Sequence, residues 1–456
     1  MIEILKLLNL ISLAGIGLFF FFLGVTSLLE KEFRAALLSA AFLISCIILW
    51  LLLDQFSDIG WIRLCNAAGL ALLAVFGIVS LFRFFPGSGE ERDISRAARY
   101  DERDNIFSRS NLWDHPHLME EYYKDKPRLK EIDGEIRGRP GFGSSKHTYF
   151  DYYSTPCFIS AFEYLEKTIP ASRGVPAQEK KKIDKKKFTE AITEMAKFYG
   201  ASDAGFTSLK GYHLYSHRGR HADGWGEEIT NTHKTAIVIV APMNVEMFKK
   251  APSNSVIQES ARKYVETAKI SNLIASYIRT FGYGARAHND ANYETLCVPL
   301  AVDAGLGELG RMGLLVHKRY GPSVRLAVVT TELELPGSKR KDFHIESFCK
   351  FCKKCSDNCP TGSISGGSEP ESRGFKHWSI DQEKCFSYWR KIGSDCGICL
   401  AVCPYSKPDN LMHRLVRFYI SRNILNQRVA LFFDDLMYGR KKKKPKKNPE
   451  KIFLNR

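Results

Sequence analysis

Eight of the chain's twelve cysteines fall between positions 349 and 403, in two runs whose spacing suits iron–sulfur ligation. The first reads Cys349-Lys-Phe-Cys352-Lys-Lys-Cys355-Ser-Asp-Asn-Cys359-Pro360. The second is Cys385 followed by Cys396-Gly-Ile-Cys399-Leu-Ala-Val-Cys403-Pro404. In the pattern C-x-x-C-x-x-C-x-x-x-C-P, three thiolates grip one cubane while the fourth reaches its neighbour. That rule assigns Cys349, Cys352, Cys355 and Cys403 to one 4Fe–4S cluster. Cys359, Cys385, Cys396 and Cys399 go to the other. Thiolates also suit zinc, but eight cysteines with a proline after each run fit zinc poorly. Clustered short spacings in a chain of 456 residues favour metal ligation over a disulfide framework. The chemistry implied is movement of electrons one at a time.

A second pattern, Gly305-Leu-Gly307-Glu-Leu-Gly310, matches the G-x-G-x-x-G of dinucleotide sites. Such a site needs a strand just before it and an acidic residue about 20 positions on. Glu332 loosely meets the second condition. The preceding residues, Val298-Pro299-Leu300-Ala301-Val302-Asp303-Ala304, carry a proline and read as a helix or turn. The glycines are expected instead to let the backbone approach a large, flat ligand.

The elements that must position these groups begin with three apolar runs, at about positions 7–29, 35–53 and 64–82. Each nears the roughly 20 residues a helix needs to cross a bilayer. A signal peptide would have a shorter apolar core and a cleavage site. Lys31 and Arg34 in the first loop, and Arg83, Arg92, Arg96 and Arg99 after the third run, outweigh a second loop without Lys or Arg. By the positive-inside rule the large C-terminal part faces the cytoplasm. The expected location is therefore the inner membrane, multi-pass.

Pro86–Glu90 is a linker, and positions 91–139 are polar with helical charge patterning. Positions 151–169 form a half-buried aromatic element, and 188–199 have helical spacing with Gly200 at the cap. Positions 235–241 (TAIVIVA) and 326–331 (LAVVTT) read as strands. A long helix is expected over 256–281, with Ile257, Val265, Ala268, Leu273, Ile274 and Ile278 as its apolar stripe and Gly282 as cap. Strands among long helices point to an α+β or α/β core. The net charge of +16 gathers largely in Lys180–Lys187 and in the low-complexity tail from Arg440. No helix-turn-helix, zinc-finger or RNA-binding signature accompanies it, so nucleic acid is not an expected partner.

The order of these motifs resembles the reductive dehalogenases. The likeness runs over Gly282-Tyr-Gly284, Asn289-Asp290, Val298-Pro299, AGLGELGRMGLLV at 304–316, Tyr320-Gly-Pro322, Val324-Arg325-Leu326 and the paired cluster motifs. It covers roughly positions 197–404. It implies a nitroreductase-like domain holding a base-off corrinoid (cobalamin-type) beside a ferredoxin-like insert, in an α+β fold. Gly305, Gly307, Gly310, Tyr283 and Tyr320 would contact the corrinoid. Tyr264 would be the proton donor, Arg311 would sit beside it and favour phenolate, and Asn289 would orient substrate or donor. Tyr215 and Tyr283 are the fallback donors. Electrons would pass through both clusters to cobalt, which attacks a small organohalide.

The domains expected are an anchor over 1–85, a linker and cap over 86–190, the corrinoid domain over 191–340, the ferredoxin-like domain over 341–410, and a C-terminal helix with its basic tail over 411–456. The usual members carry a twin-arginine export signal and a separate anchor protein. This chain has its own helices and resembles the membrane-fused branch. The electron donor would be a ferredoxin, a flavodoxin or a quinol-linked carrier. Two other readings remain open: a corrinoid enzyme acting on another bond, as the epoxyqueuosine reductases do, and a non-catalytic membrane ferredoxin.

Overall fold

The computed structural model describes residues 2–56, 58–85, 97–290 and 292–442. The linker at 86–90, Arg92, Arg96 and the basic tail from position 443 lie outside them. Two compact units emerge, residues 1–89 with 408–441, and residues 90–407 with 442–456.

In the first unit the three apolar runs are helices α1 (Ile2–Leu29), α2 (Phe33–Gln55) and α3 (Gly60–Leu81). All three are long and apolar enough to cross a membrane. Lys31 adopts a left-handed conformation (φ 58°) in the tight turn between α1 and α2. Below that turn Phe20 stacks on Phe42 with ring centroids 4.7 Å apart. The C-terminal segment forms two helices, Leu411–Ile420 and Ile424–Tyr438, where the sequence suggested one. Met412 and Met437 from these helices share a buried cluster with Phe20, Leu23 and Ala35.

The second unit is built on a four-stranded sheet in the order β1 (Asp203–Ser208), β2 (Thr235–Pro242), β6 (Val324–Thr331), β3 (Ala285–His288). Every pairing is antiparallel, which decides for α+β. Helices cover both faces. Ile237, Ile239 and Val329 face helices Lys185–Phe198 and Asn254–Thr280. Ala236, Val238, Val240 and Val328 face the opposite way, towards Leu300, Ala301 and Val302 of the short helix Cys297–Asp303. Burial on both sides is why β2 reads as an unbroken apolar run rather than an alternation.

The long helix extends from Asn254 to Thr280, and Gly282 follows it at φ 82°. A Cβ on Gly282 would strike the Glu179 carbonyl, so both the turn and the close approach require glycine. The buried stripe differs from the one read in the sequence. Val265 and Leu273 are half-buried, while Ala261, Ile270 and Ala275 take their places beside Ile257, Ala268, Ile274 and Ile278. Packing on a twisted sheet in one half and on Phe158 in the other rotates the buried face along so long a helix.

Between β3 and β6 a small hairpin, β4 (Gly307–Leu309) with β5 (Leu315–His317), carries the Gly-rich motif. Ile239→Ala, at a fully buried position, is expected to destabilise this unit by about 2–5 kcal/mol. A lowered chemical denaturation midpoint followed by tyrosine and tryptophan emission would register it.

Candidate functional site

The cysteine runs lie on short helices separated by tight reversals. Cys349 and Cys352 sit on helix Ile345–Cys352, and Lys353 turns the chain at φ 57° into Lys354–Asp357, which carries Cys355. Gly397, at φ 63°, makes the matching turn between Cys396 and Cys399; a Cβ there would strike Val256. The thiol of Cys403 lies where Cys349, Cys352 and Cys355 raise its pKa beyond the effect of burial. The thiol of Cys399 is raised by burial and by Cys396, Cys385, Cys355 and Cys359. The eight side chains thus gather as two neighbouring groups. Cys399 and Cys403, so deep and so close to other thiols, ionise only beside a cation, which suits thiolate ligands of iron. Among the described residues no three His, Cys, Asp or Glu side chains converge on one ion. A cubane holds its four thiolates farther apart than a single zinc ion does.

Arg311 does not stand beside Tyr264. Its guanidinium is buried and donates to the carbonyl oxygens of Cys349 (2.9 Å), Lys350 (3.1 Å), Ser365 (2.8 Å) and Gly367 (2.7 Å). Its flat face lies 4.4 Å from the Trp378 ring. Glu308 of the same motif accepts from the backbone N–H of Glu346 at 2.9 Å and from that of Phe343. Burial raises Glu308 to about 8. The GELGR residues therefore fasten the cysteine-bearing insert to the β4–β5 hairpin.

The three glycines are also accounted for by the chain itself. A Cβ at Gly305 would strike the Lys339 carbonyl, at Gly307 the Val316 carbonyl, and at Gly310 the Val316 side chain. Hairpin pairing and close chain crossing are enough to require glycine at these positions.

Tyr264 lies on the long helix with its ring under a different guanidinium. Arg325 of β6 sits 4.8 Å from the ring centroid. Its Nη2 donates to Ser260 Oγ at 2.7 Å, and Ser260 Oγ donates to Asp395 Oδ2 at 2.7 Å. Ser260 is one turn before Tyr264 on the same helix face, and Asp395 precedes Cys396 in sequence. Burial pushes the Tyr264 phenol up to about 12, with Arg325 pulling it down and Asp290 and Asp395 adding to the rise. The expected shift toward phenolate is thus outweighed, because desolvation of the anion exceeds the effect of one shared cation.

Tyr264, Tyr293, Cys297 and Arg325 are enclosed by protein yet keep accessible surface. That combination marks side chains lining an internal space rather than packed in a core. The Tyr264 hydroxyl has no hydrogen-bond partner among the described residues, unusual for an enclosed phenol. Asn289 is buried close by on the chain that leads out of β3. Its Nδ2 donates to Asn272 Oδ1 at 3.1 Å and to Ser271 Oγ at 3.3 Å, and its Oδ1 is left without a partner. Tyr215 adjoins Cys297 and is pushed up by burial. Tyr283 and Tyr320 make other contacts. Tyr283 donates to the Lys181 carbonyl at 2.9 Å and packs against the helix-side core, and Tyr320 stacks on His317. The structure therefore brings Tyr264 and Arg325 together, with Tyr293, Cys297 and Tyr215 near by, and places Arg311 on the cysteine-bearing insert instead.

Residues 348–407 match the 4Fe-4S dicluster domain family. The chain is 36% identical over 214 residues to a tetrachloroethene reductive dehalogenase of Desulfitobacterium hafniense, covering 44% of this chain and 38% of that protein. It is 34% identical over 222 residues to one of Sulfurospirillum multivorans, covering 47% and 44%. Over these stretches the chain is similar to the reductive dehalogenases. A solved reductive dehalogenase, described with a mechanism for B12-dependent dehalogenation, superposes with a TM-score of 0.63 at 23% identity, covering 77% of this chain and 48% of that one. The reductive dehalogenase fold is therefore shared, although the chain spans less than half the length of these relatives.

Sequence reasoning quoted Val324-Arg325-Leu326 and passed over the arginine. An arginine inside the otherwise apolar strand VRLAVVTT was the available signal, since a buried guanidinium needs a partner of matching chemistry. Ser260, Asp395 and Glu308 carried no comparable mark. Two outcomes follow from the geometry. Arg325→Gln is expected to move the Tyr264 titration upward, because it removes the one cation that lowers it. A 295 nm absorbance titration, taken as the difference from Tyr264→Phe, reads that shift. Arg311→Gln is expected to lose iron and to lower the reduction potential of the remaining iron–sulfur centres, because a positive charge beside them is removed. Iron analysis with a redox titration followed by electron paramagnetic resonance checks both.

Proposed function

We propose that the chain is a membrane-anchored reductase that replaces halogen by hydrogen in a small organohalide, using a corrinoid and two 4Fe–4S clusters. The observation that carries this reading is the Tyr264 hydroxyl. It is an enclosed phenol with no internal partner, facing an interior space, with the Arg325 guanidinium over its ring. Cys349, Cys352, Cys355 and Cys403 would ligate one cluster, and Cys359, Cys385, Cys396 and Cys399 the other. Tyr215, Tyr293 and Cys297 line the space in which a base-off corrinoid would lie, and the unpartnered Asn289 Oδ1 offers it or the substrate an acceptor. A corrinoid bound there supplies the electrons that break the carbon–halogen bond.

The net change takes in two electrons and one proton and releases halide. The chain's own part is to deliver that proton from Tyr264 Oη to the carbon. A phenol held near 12 stays protonated at working pH, so it is a donor from the start. Arg325 lessens the cost of the phenolate left behind, and Ser260 and Asp395 hold the guanidinium in place. Enclosure keeps competing water from the site. Electrons would come from a ferredoxin, a flavodoxin or a quinol-linked carrier. Lys31, Arg34 and Arg83 favour a catalytic unit on the cytoplasmic side of the inner membrane.

Chain expressed with added corrinoid should hold about one cobalt and about eight irons. Tyr264→Phe should lower dehalogenation by about 100-fold or more with cobalt content unchanged. Iron and sulfide without stoichiometric cobalt would leave a membrane electron carrier instead. Turnover of an epoxide-bearing nucleoside, with none of any organohalide, would move the activity to carbon–oxygen bonds.

A further inference from the structure

The two C-terminal helices have a feature that the proposed reaction does not use. Helix Leu411–Ile420 buries Met412, His413 and Ile420 and exposes Leu411, Arg414, Leu415 and Phe418. Helix Ile424–Tyr438 exposes Leu425, Arg428 and Phe432 in the same way. Leu411 is 71% and Phe432 64% exposed, large for side chains of this kind on water-facing helices. Each helix therefore turns outward a stripe of leucine and phenylalanine that carries one arginine.

These helices are tied to the ends of the spanning helices. Asn423 Nδ2 donates to the carbonyls of Val79 (3.0 Å) and Phe82 (3.1 Å), and Asn426 Nδ2 to that of Ser80 (3.0 Å). Arg422 Nη2 donates to the Leu81 carbonyl at 2.7 Å. The last carbonyls of α3 are thus satisfied by protein, as backbone groups near hydrocarbon must be. Asn410 and His413 donate to Glu30, just past the end of α1, at 2.6 and 3.0 Å. Phe433 lies 6.4 Å from the Phe20 ring and 6.1 Å from that of Phe42. Both rings stand about 13 Å inward from the helix ends at their shared turn. Helix Ile424–Tyr438 therefore packs against α1 and α2 within their length rather than beyond their ends.

We propose that this helix pair lies in the plane of the bilayer surface and binds its phospholipids, with a preference for anionic headgroups. The exposed stripes continue the apolar surface of α1–α3, and that continuity identifies the bilayer as the occupant. Apolar side chains enter the acyl boundary while arginines reach the headgroup layer, as in monotopic helices. Arg414, which also pairs with Asp409 at 2.8 Å, and Arg428 are the exposed arginines of the two stripes. The inference rests on α1–α3 spanning the membrane, and the experiment separates the two.

Full-length chain carrying Phe418→Trp or Phe432→Trp would be placed in nanodiscs of phosphatidylcholine, with or without phosphatidylglycerol. The added emission, taken as the difference from the parent chain, should fall by roughly half or more with lipids brominated near the headgroup and resist aqueous acrylamide, as for groups 5–10 Å into the interface. The fall should be larger in the anionic discs. Trp50, read as the difference from Trp50→Phe, reports α2 independently. Unquenched Trp50 would sink the spanning reading, whereas quenched Trp50 with acrylamide-sensitive Trp at 418 and 432 would overturn only the surface-helix proposal. Equal quenching in both discs would overturn the anionic preference. Discs holding two copies, with the new tryptophans shielded from both quenchers, would assign the face to a second copy and overturn lipid binding.

Discussion

The candidate site turns on a phenol and a guanidinium that are both largely enclosed by protein. Burial alone makes phenolate at Tyr264 costly, and a lone buried arginine costly too. Placed 4.8 Å apart they lessen each other's penalty. Arg325 is shared with Ser260 and Asp395, so it cannot serve Tyr264 alone. The balance leaves the phenol above its ordinary pKa while keeping its anion accessible. A proton donor that must hold its proton until carbon needs it requires that intermediate state. A bare phenol in the same space would hold the proton too firmly, and one bonded to a full, unshared cation would lose it too early.

Two buried arginines near the cysteine-bearing segment do opposite work, and their partners show why. Arg311 spends its donors on four backbone carbonyls of the insert. A planar fork of five donors suits several carbonyls at fixed directions. It also places a positive charge beside Cys349 and Cys355. Arg325 instead meets a ring face, a hydroxyl and a carboxylate. A charge satisfied by backbone fixes the position of a loop, whereas a charge shared with side chains answers to their protonation.

Much of this was legible in the sequence because its cause is local. Cluster ligation acts through thiols a few residues apart, so the cysteine runs declared themselves. Two-sided burial wrote β2 as TAIVIVA, and bilayer thickness wrote α1–α3 as apolar runs of the right length. The glycines of GLGELG were visible, but their Cβ clashes with Lys339 and Val316 depend on chain crossings that spacing does not encode. The exchange of Arg311 for Arg325 has the same origin. Tyr264 and Arg325 are far apart in sequence, and only the antiparallel sheet under the long helix brings them together. Strands β1 and β3 were missed because they are short and carry polar residues at their ends.

The helix Asn254–Thr280 connects these observations. Its buried residues fix it against the sheet, which fixes Tyr264 relative to Arg325. Four residues earlier, Ser260 bridges Arg325 to Asp395, whose backbone continues directly into Cys396. A helix turn advances about 5.4 Å, so Tyr264 and the residue that bridges to the thiol-bearing loop lie one turn apart on one rigid element. Any shift of the cysteine loop would reach Arg325 through Asp395 and Ser260 before it reached solvent. In the proposed reaction, proton donation and electron supply would be tuned by a shared set of contacts.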